Sequence, residues 1–368
     1  MLPVCSTDLW ETLQQSNKTV VLYGMGNGAD KILDACAQKG VTVSGVFASD
    51  GFARGNLFHG MPVRTWAQTK AEYGIQNLIV LLSFGTSRPD VLETIGRIDA
   101  ETELYAPDVP VFGNGLFDRA FLEAHKTELE EARALLSDDE SRRIFDNVLQ
   151  YKLTGRLCYL KNAESDPDKV WESILHPRQI TRAADLGAYN GDTVRELIER
   201  SGGAVQKIYA LEPDARNFRK LCAYAESEGR AEVIPCPIGA WSEKTTLYFD
   251  KSGNRNASFE VNRSQSLDAR PAKCTAVEAD TLDHVLGGHA VDYIKYDVEG
   301  SEKEALLGSV QTVARFAPKL LVSLYHRNED LFALPLLLHK LFPEYRGYYL
   351  RRFRGIPAWD LNLYLTKD

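Results

Sequence analysis

The stretch DLGAYNGDTVRELIERSG, residues 185–202, constrains this chain more than any other. It follows the apolar run ITRAADL, supplies two glycines and two aspartates, and then opens a helix. A glycine turn between strand and helix lets the backbone approach a ligand, and the helix N-terminus offers it unpaired N–H groups. In dinucleotide folds that ligand is a pyrophosphate, which acidic residues repel. Here Asp185 ends the strand and Asp192 opens the helix, so the turn suits a ligand with positive charge and no phosphate. S-adenosylmethionine carries an ammonium and a sulfonium, and D-x-G-x-x-x-G, here Asp185, Gly187 and Gly191, is a turn that binds it.

A second signal must agree with the first. The next strand of such a unit should end in an acid that accepts hydrogen bonds from both ribose hydroxyls, and IYALEP supplies Glu212. The expected cofactor contacts are therefore Asp185, Gly187, Asn190, Gly191, Asp192 and Thr193 in the first turn, Glu212 and Pro213 after the second strand, and Gly239 and Ala240 after the third. The plainer alternative is a Rossmann-like domain in which Asp185 and Asp192 only cap and solvate.

Around that unit, the chain has room for two domains: single cores stop growing near roughly 250–300 residues, and this one has 368. A net charge of −8 disfavours nucleic acid and anionic lipid surfaces, which need a positive footprint. The basic aromatic cluster YRGYYLRRFRG, 345–355, is expected to be a terminal strand with its arginines on the wet face. Six scattered cysteines without a C-x-x-C pair, an N-terminus without an apolar signal core and the absence of any 18-residue apolar run point to a cytoplasmic protein that does not span a membrane.

Strands alternating with helices imply parallel sheets, and they occur twice. Residues 1–112 read as a Rossmann-like domain, with strand TVVLY, a glycine turn, a helix from Ala29 to Lys39, a helix near 65–73 and strand NLIVLLSFGT. Residues 113–178 read as a helical connector, a lid or dimer element, with Ser137 and Glu140 as a capping box between two helices. Residues 179–368 carry five short β-rich runs (ITRAADL, VQKIYALEP, AEVIPCPIG, VDYIKYDVE, KLLVSLYH), the additional strands TTLYFD and CTAVEAD, and a terminal antiparallel pair.

The motifs DLGAYNGDT, ALEPDARNFRKL, IGAWSEKTTLYF, ADTLDHV, YIKYDVEGSEKEAL and the SLYH strand, in that order, resemble FkbM-type methyltransferases over about 180–368, with the 115–175 helices also similar to one subgroup. The block IKYDVEGSE, 294–302, is the most specific piece. The resemblance implies a class I methyltransferase fold, S-adenosylmethionine as donor, and O-methylation of a hydroxyl on a sugar, glycan or related small molecule.

Methyl transfer needs in-line positioning and a group that takes the hydroxyl proton. Asp297 and Glu299 follow YIKY at the strand end that opens over the methyl group, and strand alternation is expected to set Lys295, Asp297 and Glu299 on one side. His326 closes LLVSLYH at the same edge, where a neutral imidazole is able to act as general base near neutral pH. A plain ion pair is the competing reading of Lys295, and a structural or solvated role that of His326. Asp297, Glu299 and a third acid such as Asp280 form a conceivable Mg²⁺ set, although no metal is assigned, and the histidine spacing argues against zinc. The loop DKSGNRNASFEV, 250–261, is either an acceptor contact or an ordinary hairpin turn.

In the first domain, Gly24, Gly26 and Ala29 have G-x-G-x-x-A spacing and Asp50 follows the next strand, so a dinucleotide and an oxidoreductase remain open. G-M-G-N-G and the later G-x-P-V of Gly60–Val63 also resemble the nucleotide-sugar-binding N-terminal domain of some sugar acyltransferases. A scaffold that only packs is the third reading, and a non-catalytic ligand-binding module is the third for the whole chain.

Overall fold

The computed structural model describes residues 2–3, 6–49, 51–250 and 274–367. Asp50 and residues 251–261 of the expected acceptor loop lie outside them. The chain divides into two compact units: residues 1–133, 139–165 and 352–361 form one, and residues 134–138, 166–351 and 362–368 the other.

The first unit is built on strands β1 (Thr19–Tyr23), β2 (Val43–Phe47), β3 (Leu57–Phe58), β4 (Met61–Arg64), β5 (Leu78–Leu82) and β6 (Glu103–Tyr105), in the order β3-β4-β2-β1-β5-β6. All contacts except that of the β3–β4 hairpin are parallel. A central parallel strand is covered on both faces and reads as an unbroken apolar run. That is the character of LIVLL in β5, every residue of which is buried. The helix Asn27–Gln38 turns Ala29, Ile32, Ala35 and Cys36 onto the sheet.

In the second unit the main sheet runs β15 (Gly347–Arg352), β16 (Leu361–Thr366), β14 (Lys319–Ser323), β13 (Tyr293–Tyr296), β7 (Arg182–Leu186), β8 (Lys207–Leu211), β9 (Glu232–Cys236). From β14 to β9 the pairs are parallel, and β16 runs antiparallel to β14. The fold is the mixed α/β, class I methyltransferase architecture expected from the sequence. Strand order reverses between β7 and β13, and in an open parallel sheet a ligand crevice forms outside the carboxyl ends at that point. A side sheet holds β10 (Gly239–Ala240), β12 (Cys274–Asp280) and β11 (Thr245–Asp250) in that order.

Two local expectations need correction. Ser137 does not cap a helix with Glu140: its hydroxyl donates to Arg346 O and accepts from Tyr348 N, while the Glu140 carboxylate accepts from the Ser165 hydroxyl. Arg351 and Arg352 are not on a wet face. Arg351 is buried and holds Asp138 at 2.6 Å, and Arg352 is fully buried and donates to Leu160 O. Long side chains at the end of β15 thus satisfy carbonyls and an acid inside the protein instead of meeting water.

Candidate active site at the carboxyl edge of the second sheet

The turn after β7 is shaped by what lies opposite it. Gly187 has φ +87°, and a Cβ there would sit 1.9 Å from Asp297 O on the turn after β13, so only glycine lets the two strand ends come together. Gly187 N and Ala188 N both donate to Leu211 O. Gly191 precedes the helix Asp192–Ser201, which buries Val194, Leu197 and Ile198. Asn190 is half-buried beside it, and Asp192, the first helical residue, is exposed.

Glu212 closes β8 with its side chain turned onto the same turn. Its Oε2 accepts from Tyr189 N at 2.9 Å and its Oε1 from Asp214 N at 2.8 Å. A carboxylate has about four lone-pair sites, so two backbone donors leave acceptor capacity for a diol. Burial pushes the Glu212 carboxyl up to about 7, against the two backbone N–H groups that favour its charge. Pro213 follows it, half-buried. Gly239 and Ala240 are buried in β10, paired to Ala279 and Asp280 of the side sheet.

Asp185 is a different matter from the sequence expectation. In the parallel register Lys295 of β13 lies opposite Asp185 of β7. Its Nζ stands 3.2 Å from Asp185 Oδ1 and 3.4 Å from Asp297 Oδ2. The hydroxyl of Thr193 donates to the other oxygen of Asp185 at 2.5 Å. Asp185 is thus engaged within the protein by Lys295, which it shares with Asp297, and by Thr193. Burial works against the Lys295 charge, but Asp185 and Asp297 outweigh it and raise its pKa. The ion-pair reading of Lys295 is the geometry observed.

β13 ends at Tyr296, so Asp297 and Glu299 reach the edge in a turn and not by strand alternation. Glu299 has φ +54°, the left-handed region that non-glycine residues enter at a cost. Asp297 accepts from the Tyr325 hydroxyl at 3.0 Å. Burial opposes its charge, yet Lys295 and then His326 hold its carboxyl below the usual range. Glu299 is displaced the other way, upward, chiefly by burial.

His326 is the clearest correction. It is 1% exposed, with Nδ1 2.9 Å from Glu302 Oε1 and Nε2 3.5 Å from Glu299 Oε2. Burial alone would depress its pKa, but Glu302, then Asp297 and Glu299, carry it up to about 9. That upward shift works against a neutral imidazole serving as general base near neutral pH. Glu302, absent from the sequence-derived site, is the residue that fixes this: it is 1% exposed and its Oε1 also accepts from Val298 N at 2.9 Å. The second glutamate of DVEGSE was the available signal. Asp280, the proposed third metal acid, belongs elsewhere, accepting from Thr281 N and facing His284 at 2.7 Å.

Beside the Gly300–Ser301 turn lies a cleft of about 450 Å³, lined among others by Trp241, Lys303, Glu304, Arg327 and Glu329.

Residues 185–351 match the family model for the methyltransferase FkbM domain. This segment is thus similar to FkbM-type methyltransferase domains. The crystal structure of the FkbM methyltransferase from Methylobacillus flagellatus is similar over 95% of this chain and 90% of its own, with TM-score 0.67 and 19% identity, which shows a shared fold. Weaker likenesses include an rRNA methylase from Streptococcus thermophilus (58% of this chain, 96% of that one, 13% identity, TM-score 0.35). Another is Aeropyrum pernix fibrillarin with natively bound S-adenosylmethionine (50% and 66%, 13% identity, TM-score 0.31). No curated protein matches the chain.

In the glycine turn of the first unit, packing accounts for some positions and not for others. A Cβ on Gly24 would lie 2.5 Å from the Phe84 ring, and one on Gly28 would lie 2.3 Å from Ser83 O. Those two positions admit the end of β5, whereas Gly26, at φ +108°, has no atom within 4 Å of where a Cβ would stand. Among the described residues no helix is long and apolar enough to cross a membrane, and Cys36, Cys158, Cys222 and Cys236 are free thiols.

Proposed function

We propose that the second unit is an S-adenosylmethionine-dependent O-methyltransferase acting on a hydroxyl of a sugar, glycan or related small molecule. The observation that carries this reading is Glu212, a buried carboxylate at the end of β8 with spare acceptor capacity beside the turn after β7. S-adenosylmethionine supplies an electrophilic methyl group on sulfur. Glu212 binds the ribose diol, and Gly187 lets the turn beside it close against the Asp297 carbonyl.

The remaining groups handle the acceptor. Lys295 holds Asp297 in place and charged, which makes Asp297 an orienting acceptor of the substrate hydroxyl and a weak base. Glu299, exposed at the rim 3.5 Å from His326 Nε2, takes the proton at its carboxylate oxygen. The neighbouring cleft supports a saccharide-like acceptor: its volume lies within the usual range for small-ligand sites, and it combines an indole wall with donors from Arg327 and Lys303 and acceptors from Glu304 and Glu329. A small acceptor also fits the acidic net charge of the chain.

Incubation with methyl-labelled S-adenosylmethionine and a panel of mono- and oligosaccharides tests the reading. Mass spectrometry should locate a methyl ether on a product. Methyl carried on nitrogen or carbon, or no transfer to any acceptor despite bound cofactor, would defeat it.

A further inference from the structure

Beside the crevice assigned to the cofactor, a second group of ligand-type side chains meets where β13 and β14 end. His326 is 1% exposed and lies 2.9 Å from Glu302 Oε1 through Nδ1, and 3.7 Å from Asp297 Oδ1 and 3.5 Å from Glu299 Oε2 through Nε2. Asp297, Glu302 and His326 each offer one ligand atom within 4.8 Å of those of the other two. The elements packed around them add Asp330, buried just beyond β14, and Lys295, which touches Asp297. Four carboxyl groups, Asp297, Glu299, Glu302 and Asp330, thus face Lys295 and His326.

One atom in this group lacks what burial demands. Glu302 is 1% exposed, and its Oε2 is buried with no hydrogen-bond partner among the described residues. Its Oε1 accepts from Val298 N and Gly300 N, so the carboxylate is fixed in place and cannot turn its orphaned oxygen to solvent. A buried carboxylate oxygen without a donor is costly, and a cation answers it directly.

We propose that Asp297, Glu302 and His326 form a binding site for one divalent cation, with Glu299 at its open side. One imidazole with two carboxylates suits an ion that accepts both oxygen and nitrogen, such as Mn²⁺, more than one that wants thiolates. The role of the ion rests on the methyl-transfer reading: bound to the acceptor oxygen, it would lower that hydroxyl's pKa, and the released proton would pass to Glu299. Binding itself does not depend on that reading.

The test is a Mn²⁺ titration of the full chain after exhaustive chelation, followed by loss of the free-ion electron paramagnetic resonance signal. One ion per chain should bind. Asp297→Asn, at a partly exposed position, should weaken it by at least about 10-fold, and His326→Gln should do so as well. S-adenosylhomocysteine binding to each variant, measured in parallel, reports whether the unit is folded. No bound Mn²⁺ at about millimolar concentration, or equal affinity in the parent and in a folded Asp297→Asn protein, would overturn the site. Loss of S-adenosylhomocysteine binding with Mn²⁺ binding intact would strike only the cofactor reading.

Discussion

Glu212 makes the affinity for S-adenosylhomocysteine depend on pH in a range where few groups titrate. Burial pushes its carboxyl up to about 7 in the free protein. Accepting two hydroxyl hydrogen bonds favours the ionised form, so the complex holds that carboxyl lower. Affinity is therefore full above the free-protein value and falls as pH drops through it. Between about pH 7.5 and about pH 5.5 the ionised fraction in the free protein falls from roughly three quarters to roughly 3%, which sets an upper limit of about 25-fold, or about 2 kcal/mol, on the loss of affinity. Isothermal titration at a series of pH values measures this directly. The Glu212→Gln protein, which has no proton to exchange at this position, provides the control: the ratio of parent to variant affinity removes any titration of the ligand. A ratio that stays flat between those two pH values would refute the assignment of Glu212 to the ribose.

Three further outcomes follow from the geometry. Gly187→Ala sets a Cβ against Asp297 O at a positive φ, and should cost about 2–4 kcal/mol in denaturant unfolding together with ligand binding; a stable, binding-competent variant would contradict the close approach. Lys295→Met leaves Asp185 and Asp297 facing each other without their cation, and should cost about 3–5 kcal/mol. Gly28→Ala in the first unit, despite the usual gain of alanine in a helix, should lower the melting temperature because its Cβ meets Ser83 O, a cost of about 1–3 kcal/mol; a rise would restore the case for a ligand at that turn.

Legibility in the sequence followed the range of the interactions. The Gly187 turn, the helix it launches and Glu212 at the end of the next strand are all local, and pattern alone located them. The alternation of strands and helices likewise yielded two parallel sheets. What pattern missed depends on register and on partners far along the chain. Lys295 meets Asp185 only because β13 lies beside β7 in parallel register, and this pairing engages the charge that the turn had implied. His326 reads as a neutral base until Glu302 is placed against it. Ser137 carries a capping pattern, yet its hydrogen bonds go to the backbone of residues 346 and 348. Gly24 of the first unit matches a dinucleotide fingerprint by spacing, and the Phe84 ring that presses on it lies about sixty residues along the chain, after β5.

A crystal structure of the chain with S-adenosylhomocysteine tests the central claim most directly. The account predicts both ribose hydroxyls about 2.6–3.2 Å from the Glu212 carboxylate, with the nucleoside against the Gly187 turn and the sulfur facing Asp297 and Glu299. A nucleoside bound anywhere else, with Glu212 still engaged only by Tyr189 N and Asp214 N, would contradict it.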